Sequence, residues 1–376
     1  MARLGDVATY INGFAFKPTD WSENGLPIIR IQDLTGTSYQ TNRFNGKYHP
    51  KYEINNGDIL ISWSASLGVY IWKGEKAVLN QHIFKVIFDK TEINKSFFVH
   101  QVQNILENAA SEAHGATMKH LTKPVFDALP FYLPDVDTQK AIAEILDNVS
   151  NLIFLHKQQL TKLDELVKAR FVELFGDPVD NPMGWSTKQL QELVTDDCTI
   201  SYGIVQTGDD QEEGVPVFRP VDIVNRIPVR DELKKTTEEI SNKYKRTILK
   251  GREMLITVRA NIADTCIVGE EFAGCNVGRG IVPIRTREDE MILEFLKYQI
   301  DSKHLNDNIK ALAKGITLIQ LNMEDLREVT LIVPPIEKQK SFVEFAKQTD
   351  KSKSAIQKSL DELEILKKSL MQKYFG

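Results

Sequence analysis

Cysteine is scarce. The chain of 376 residues has three, Cys198, Cys266 and Cys275, and no C-x-x-C pair. An odd count without pairing argues for thiols acting as small buried filler in a reduced, cytoplasmic setting. Long apolar runs are missing as well. None approaches the roughly 20 residues that span a bilayer. The opening MARLGDVATYINGF lacks a basic segment followed by an apolar core, so no signal peptide is expected. There is no basic excess: 47 Lys and Arg face 52 Asp and Glu, a formal charge of −5. That argues against a wholly cationic surface and leaves room for a local basic face. The motifs G-x-x-x-x-G-K-[ST], G-x-G-x-x-G, H-E-x-x-H and G-x-S-x-G do not occur. DNPMGW (180–185) carries Met183 and Gly184 where an amino-methyltransferase motif needs proline and an aromatic residue. PDVDTQK (134–140) is wrongly spaced for a nuclease cluster and lies at a helix start, where acids suit the dipole. Both read as structural.

What is present is a repeat. LPDVDTQKAIAEILDNVSNL (133–152) returns as VPPIEKQKSFVEFAKQTDKS (333–352), an offset of 200. At that offset Pro134 meets Pro334, Gln139 meets Gln339, Lys140 meets Lys340 and Leu163 meets Leu363. Upstream, Gly115 and Thr117 meet Gly315 and Thr317; downstream, Phe175-Gly176 meets Phe375-Gly376. A gapless register over some sixty residues is not accidental. Further upstream the likeness fades. LPIIRIQDL (26–34) resembles VPVFRPVDI (215–223), and GDILISWSASLG (57–68) resembles REMLITVRANIA (252–263). The period is too long for a solenoid. The chain is a duplicated pair: variable block, constant segment, variable block, constant segment.

Each constant segment has an apolar stripe of helical period. Ile142, Val149, Leu163 and, beside them, Leu146, Ile153, Leu160 and Val167 form the first. Phe342, Ile356, Leu363, Leu370, Ala346 and Leu360 form the second. About 37 residues at 1.5 Å each give a helix of roughly 55 Å. Such a helix needs a partner, and the other copy is the nearest one. The expectation is two long antiparallel helices forming a coiled-coil-like spacer with an internal pseudo-two-fold. His156, on the seam, reads as a helix-pairing residue rather than a metal ligand, since no metal spacing surrounds it.

The variable blocks mix short β-like runs, DILIS (58–62), HIFKVIF (82–88) and EMLITV (253–258), with helical stretches at 96–110 and 290–303. The fold class expected is α+β, with two such domains built on curved, mostly antiparallel sheets. Loops interleave basic, aromatic and amide residues: Tyr39, Arg43, Lys47 and Tyr48 in the first block, and Arg226, Arg230 and Lys245 in the second. Such side chains suit phosphates and base edges; solvated surface is the plainer alternative for any one of them.

Taken together, Gly-Ala-Thr (115–117), Leu-Pro-…-Gln-Lys (133–140) and Phe-Gly-Asp-Pro (175–178), in an order stated twice, resemble the specificity subunit of type I restriction–modification systems. The likeness covers nearly the whole chain. It implies two target-recognition domains, 1–133 and 187–333, each reading half of a split double-stranded DNA target. It implies helical spacers, 134–176 and 334–376, with a linker at 177–186, that set the unread gap and dock two methyltransferase subunits. It implies further restriction/translocase subunits, no membrane, and no catalysis by this chain. S-adenosylmethionine, ATP and Mg would be held by partner subunits. A recognition subunit of a modification-only or other system, a protein-only coiled-coil scaffold, and an enzyme with an unrecognised site stay open beside it.

The family has no universal contact residues, so the DNA-contact candidates come from loop chemistry and the aligned short motifs. In the first domain they are Arg30, Gln32, Arg43, Lys47, Tyr48, Trp63, Ser64, His82 and Lys119. In the second they are Arg219, Arg226, Lys245, Arg259, Asn261, Arg279, Lys314 and Gln320. Helix pairing and docking fall to Ile142, Leu146, Val149, Ile153, Leu160 and Leu163, and to Phe342, Ile356, Leu360, Leu363 and Leu370. No catalytic or metal-binding residue is expected.

Overall fold

The computed structural model describes residues 1–112, 122–223, 229–315 and 319–376. The chain forms two compact units, Met1–Lys157 with Gln357–Gly376, and Gln158–Ile356. Five helices matter below: α1 (Lys95–Glu112), α2 (Val136–Phe175), α3 (Leu293–Ile300), α4 (Lys303–Ala311) and α5 (Ile336–Phe375). Helices α2 and α5 have 40 residues each, which corresponds to about 60 Å apiece.

The first unit holds two four-stranded sheets. One runs Thr9–Asn12, Ile83–Ile87, Ile59–Ser62, Gly68–Ile71, antiparallel throughout. The other runs Arg43–Phe44, Leu26–Ile29, Ala77–Leu79, Glu53–Ile54, with the middle pair parallel. The runs ILIS and AVL are buried at every residue, which explains their apolar character up to Ser62, whose buried hydroxyl bonds the Ser64 carbonyl. The second unit repeats this plan in shorter form. Thr265–Val268, Glu253–Thr257 and Ile281–Ile284 make an antiparallel sheet. Lys235–Thr236, Val215–Phe218 and Asn276–Val277 make another, again with one parallel pair. In both units a strand at the domain's start closes on one just before the long helix: Ala2–Arg3 on Pro130–Phe131, and Thr187–Gln189 on Thr330–Ile332. The fold is α+β, and its sheets are mostly antiparallel.

The second helical stretch stops earlier than its sequence suggests. Helix α3 ends at Ile300, the chain turns at Asp301–Ser302, and α4 follows. Ser302 takes extended backbone before α4, and its hydroxyl bonds the Gln299 carbonyl at 2.7 Å.

Each unit contains half of α2 and half of α5, and in each the two halves run antiparallel. In the first, Lys157 pairs with Glu364 at 2.7 Å, while toward the other end Phe375 meets Phe97 of α1, ring centroids 5.5 Å apart. Ile142, Ala143, Leu146 and Met371 join Phe97, Phe98 and Phe131 in one core. In the second, Lys353 pairs with Asp164 at 2.6 Å, and Phe342 packs edge-on against Phe171 and Phe175 at 5.4 and 5.7 Å. Burying one such ring stabilises by about 1.5–3 kcal/mol. The compact units divide both helices near their middle, because each half shares a core with its own domain.

The helix ends follow from local chemistry. Asp135 accepts the backbone N–H of Thr138 at 2.9 Å and its hydroxyl at 2.7 Å, capping α2. These donors hold its carboxyl below the usual range. At the far end Gly176 takes φ +75°, the left-handed conformation that ends helices. DNPMGW is a turn: the Asn181 carboxamide bonds both the N–H and the carbonyl of Trp185, whose indole donates to the Phe175 carbonyl. His156, within α2, places Nδ1 3.0 Å from the Leu152 carbonyl of its own helix.

Candidate nucleic-acid interface

The same hairpin turn recurs in both domains. After Ile59–Ser62 the chain turns through Ala65 at φ +60°, and after Glu253–Thr257 it turns through Ala260 at φ +59°. A non-glycine residue held there costs of order 1–3 kcal/mol, so the surroundings must fix it. The frame is shared, while the side chains just before the alanine differ: Trp63-Ser64 in one, Val258-Arg259 in the other.

In the first domain Trp63 stacks on Phe84 at 5.6 Å and donates its indole N–H to Asn12. His82, itself at φ +72°, meets the Trp63 ring at 4.9 Å. Ser64 is buried, and its carbonyl accepts the Ser62 hydroxyl. Trp63, Ser64 and His82 thus form one locus. A second locus holds Arg30 and Gln32, which line one cavity with Trp21 and Tyr39. Arg43 is occupied by Glu75 at 3.1 Å and the Gly25 carbonyl, and the Tyr48 hydroxyl by Glu53 at 2.9 Å. Lys47 is exposed.

In the second domain two sequence motifs converge. The Arg259 guanidinium directs Nε, at 3.0 Å, and Nη2 onto the Gln320 carboxamide oxygen. Lys314 and Gln320 exchange backbone hydrogen bonds, and Leu321 N–H bonds the Val258 carbonyl. This ties the loop containing Gly315, at φ +130°, to the hairpin turn carrying Arg259 and exposed Asn261. The Lys314 ammonium reaches Asp325 at 3.1 Å. Arg219 forks onto Asp222 at 2.9 and 3.1 Å. Arg279 and Lys245 are exposed; Arg279 precedes Gly280, whose carbonyl accepts the Val258 N–H of the same hairpin at 2.8 Å. Lys119, Arg226 and the Gly-Ala-Thr stretch 115–117 lie outside the described residues.

On the helices, Ile142, Leu146, Val149, Phe342 and Leu360 are buried; Ile153, Leu160, Leu163, Ile356, Leu363 and Leu370 are half-buried. Ile145, Leu152 and Leu155 of α2, and Leu366 of α5, remain exposed in the first unit; Leu166 and Val172 do so in the second. The three thiols are buried and free, and burial pushes Cys198 up to about 11 and Cys266 up to about 12. Such thiols are inert at neutral pH. Among the described residues one group, Asp177, Asp180 and His304, lies close enough to share a cation. Its shortest His–Asp contact, from His304 Nδ1 to Asp177, is 3.3 Å, and Asp177 already accepts the Val179 N–H. No helix of the described residues is long and apolar enough to cross a membrane.

Asn42 was not among the residues expected from sequence. It is 5% exposed, lines the same cavity as Arg30 and Gln32, and makes no side-chain hydrogen bond among the described residues. Its sequence signal is slight, an amide beside Arg43, because burial of a loop residue has no periodicity to reveal it.

Comparison with known proteins bears on this arrangement. The family described as "Type I restriction modification DNA specificity domain" matches residues 1–165 and again 182–365. The chain is 25% identical to the type I restriction enzyme EcoBI specificity subunit of Escherichia coli, covering 99% of this chain and 84% of that one. It is 23% identical to the MjaVIII specificity subunit of Methanocaldococcus jannaschii, covering 99% and 90%. In fold it is similar to the type I restriction–modification S subunit from M. genitalium, with a TM-score of 0.54 at 14% identity over 100% of this chain and 95% of that one. It is also similar to a chain from a type I R-M structure solved for complex assembly and conformational transition, with a TM-score of 0.59 at 20% identity over 100% and 96%. With two matched domains accounting for most of its length, the chain belongs to the family of type I restriction–modification DNA specificity subunits.

Proposed function

We propose that the chain reads a split DNA target, one half-site per variable domain, and catalyses no reaction itself. The observation that carries this reading is the duplication. Two domains of one plan each end in the same helix start, and each sits on an antiparallel pair of half-helices. Related readers on a pseudo-two-fold suit two half-sites in inverted orientation. The shared hairpin frame with different side chains suits readers that must differ in sequence preference. Arg259 suits a guanine edge, and Gln320, Asn261 and Gln32 suit adenine. Helices α2 and α5 act as the ruler that sets the unread gap.

The helices also dock the partner methyltransferase subunits, which hold S-adenosylmethionine and methylate adenine; restriction/translocase subunits with ATP and Mg complete the assembly. The exposed Ile145, Leu152, Leu155 and Leu366 support a docking role, since apolar side chains recurring beside a buried helix seam favour a further protein surface. The deciding experiment maps methylated adenines by single-molecule sequencing in cells carrying the complex. Exchange of residues 187–333 for another recognition domain changes one half of the mapped target only. A change in both halves, or in neither, removes the two-reader reading.

A further inference from the structure

The cavity beside Arg30 is built unlike ordinary surface. It measures about 260 Å³ and is lined by Trp21, Arg30, Gln32, Tyr39, Gln40 and Asn42. Two of its walls are aromatic and open to solvent: Trp21 is 44% exposed and Tyr39 fully so. The Arg30 guanidinium lies 5.7 Å from the centre of the Trp21 ring and donates Nη2 to the Gln40 carbonyl at 3.0 Å. Its Nε is buried and has no bonded partner; the nearest carboxylate, Asp33, is 3.7 Å away. Asn42 adds a carboxamide that bonds no other side chain or backbone group among the described residues and whose polar atoms are open to the cavity. An amide that lines a cavity with its donors and acceptor unused is a place where a ligand supplies the bonds.

The ligand's chemistry follows from the walls. Exposed aromatic rings with an arginine against one of them favour a flat π-system. A carboxamide offers one acceptor and two donors side by side, the complement of a nucleobase edge. We propose that this cavity receives one unstacked base of the first half-site, which stacks on Trp21 and bonds its edge to Asn42. Enzymes that take bases from the duplex read them by this combination of stacking and edge contacts. The inference rests on the first domain being a DNA reader. It also separates the two domains. Strand pairing aligns Pro27 with Arg43 and Pro216 with Lys235, so Lys234 stands where Asn42 does, and its ammonium bonds the Gly208 carbonyl at 2.9 Å. The second domain has no unused amide at that place.

The test uses the complex with its methyltransferase subunits and duplexes carrying the mapped target. Single mismatches are walked through both half-sites, keeping one strand native. Unpairing a base in advance removes the cost of unstacking it, so binding tightens where a base leaves the stack. We expect affinity to rise about tenfold at one base pair of the first half-site other than that of the methylated adenine. The gain is lost in Asn42→Ala, in the isosteric Asn42→Asp and in Trp21→Ala, while the gain at the methylated adenine persists in all three and reports that the variants are folded. No such second position, or a gain that survives all three substitutions, overturns the proposal. Loss of sequence-selective binding by the unaltered complex would instead overturn the reading of the domain as a DNA reader.

Discussion

Gln139 and Gln339 stand 200 residues apart and make the same closure. Gln139 is 1% exposed; its Oε1 accepts the Asn94 N–H at 2.9 Å, and its Nε2 donates to the Pro134 carbonyl at 2.8 Å. Gln339 is wholly buried; its Oε1 accepts the Ile292 N–H at 3.0 Å, and its Nε2 donates to the Pro334 carbonyl at 2.8 Å. In each unit one carboxamide ties the entry of the domain's own helix to the proline that starts the long helix. The Gln-Lys pair shared by the two copies is therefore a joint. It fixes how a reader leaves its spacer, which is what a ruler needs held constant.

Breaking the joint leaves backbone groups buried without partners, at about 1–3 kcal/mol for each unsatisfied group. Gln139→Leu and Gln339→Leu are each expected to destabilise by about 2–4 kcal/mol on that basis. Gln339→Leu is the more costly, since its Nε2 also bonds the Glu290 carbonyl at 2.9 Å. The two sites share no partner, so the double variant loses the sum. Urea unfolding of the complex measures this; a sum that falls short by more than about 0.5 kcal/mol shows coupling that separate joints do not allow.

Much of this was legible in the sequence. The period-3.6 stripe and the register of 200 give both long helices, and ILIS and EMLIT give central strands. The joint was visible as a repeated Gln-Lys but not as a function, because a buried glutamine and an exposed one look alike in sequence. The convergence of Arg259 with Gln320 was hidden by 61 residues of separation. The unit boundary inside each helix was hidden too, since a continuous stripe does not say which core each half shares. Asn42 was missed because an amide in a loop usually faces water.

The ruler reading makes a metric prediction. One heptad inserted after Lys157 and one after Ile356, where the compact units divide, lengthens each helix by about 10 Å and keeps the seam in phase. Mapped targets are expected to keep both half-sites and widen the gap by about three base pairs, at roughly 3.4 Å each. An unchanged gap refutes the ruler.

Arg259 is the strongest single contact candidate in the second domain, because Gln320 fixes its guanidinium in place. Arg259→Ala is expected to relax one position of the second half-site by about 1–3 kcal/mol, and to leave the first half-site as it was. Gln320→Leu, which frees the guanidinium without removing it, is expected to weaken the same preference less. Methylation maps of the two variants decide it: relaxation in the first half-site instead would assign Arg259 to the wrong reader.

His100 of α1 gives the first unit a pH response. Its Nε2 lies 2.8 Å from Asp147 of α2, which also accepts the Ser96 hydroxyl at 2.5 Å. Burial pulls the imidazole below its usual value, outweighing the raising effect of Asp147, and the Lys367 charge on α5 adds to the lowering. The unfolded chain therefore binds this proton at a higher pH than the folded chain does. Stability contributed by neutral His100 is present above about pH 6.5 and is lost as pH falls below it toward the folded value. His100→Gln, which cannot titrate, is expected to flatten the fall in melting temperature between about pH 7 and pH 5. Asp147→Asn removes the carboxylate that favours the charged ring, so the fall should steepen. A melting temperature of the unaltered complex that rose relative to His100→Gln on acidification through this window would mean that the Asp147 contact outweighs burial, with the pH response of opposite sign.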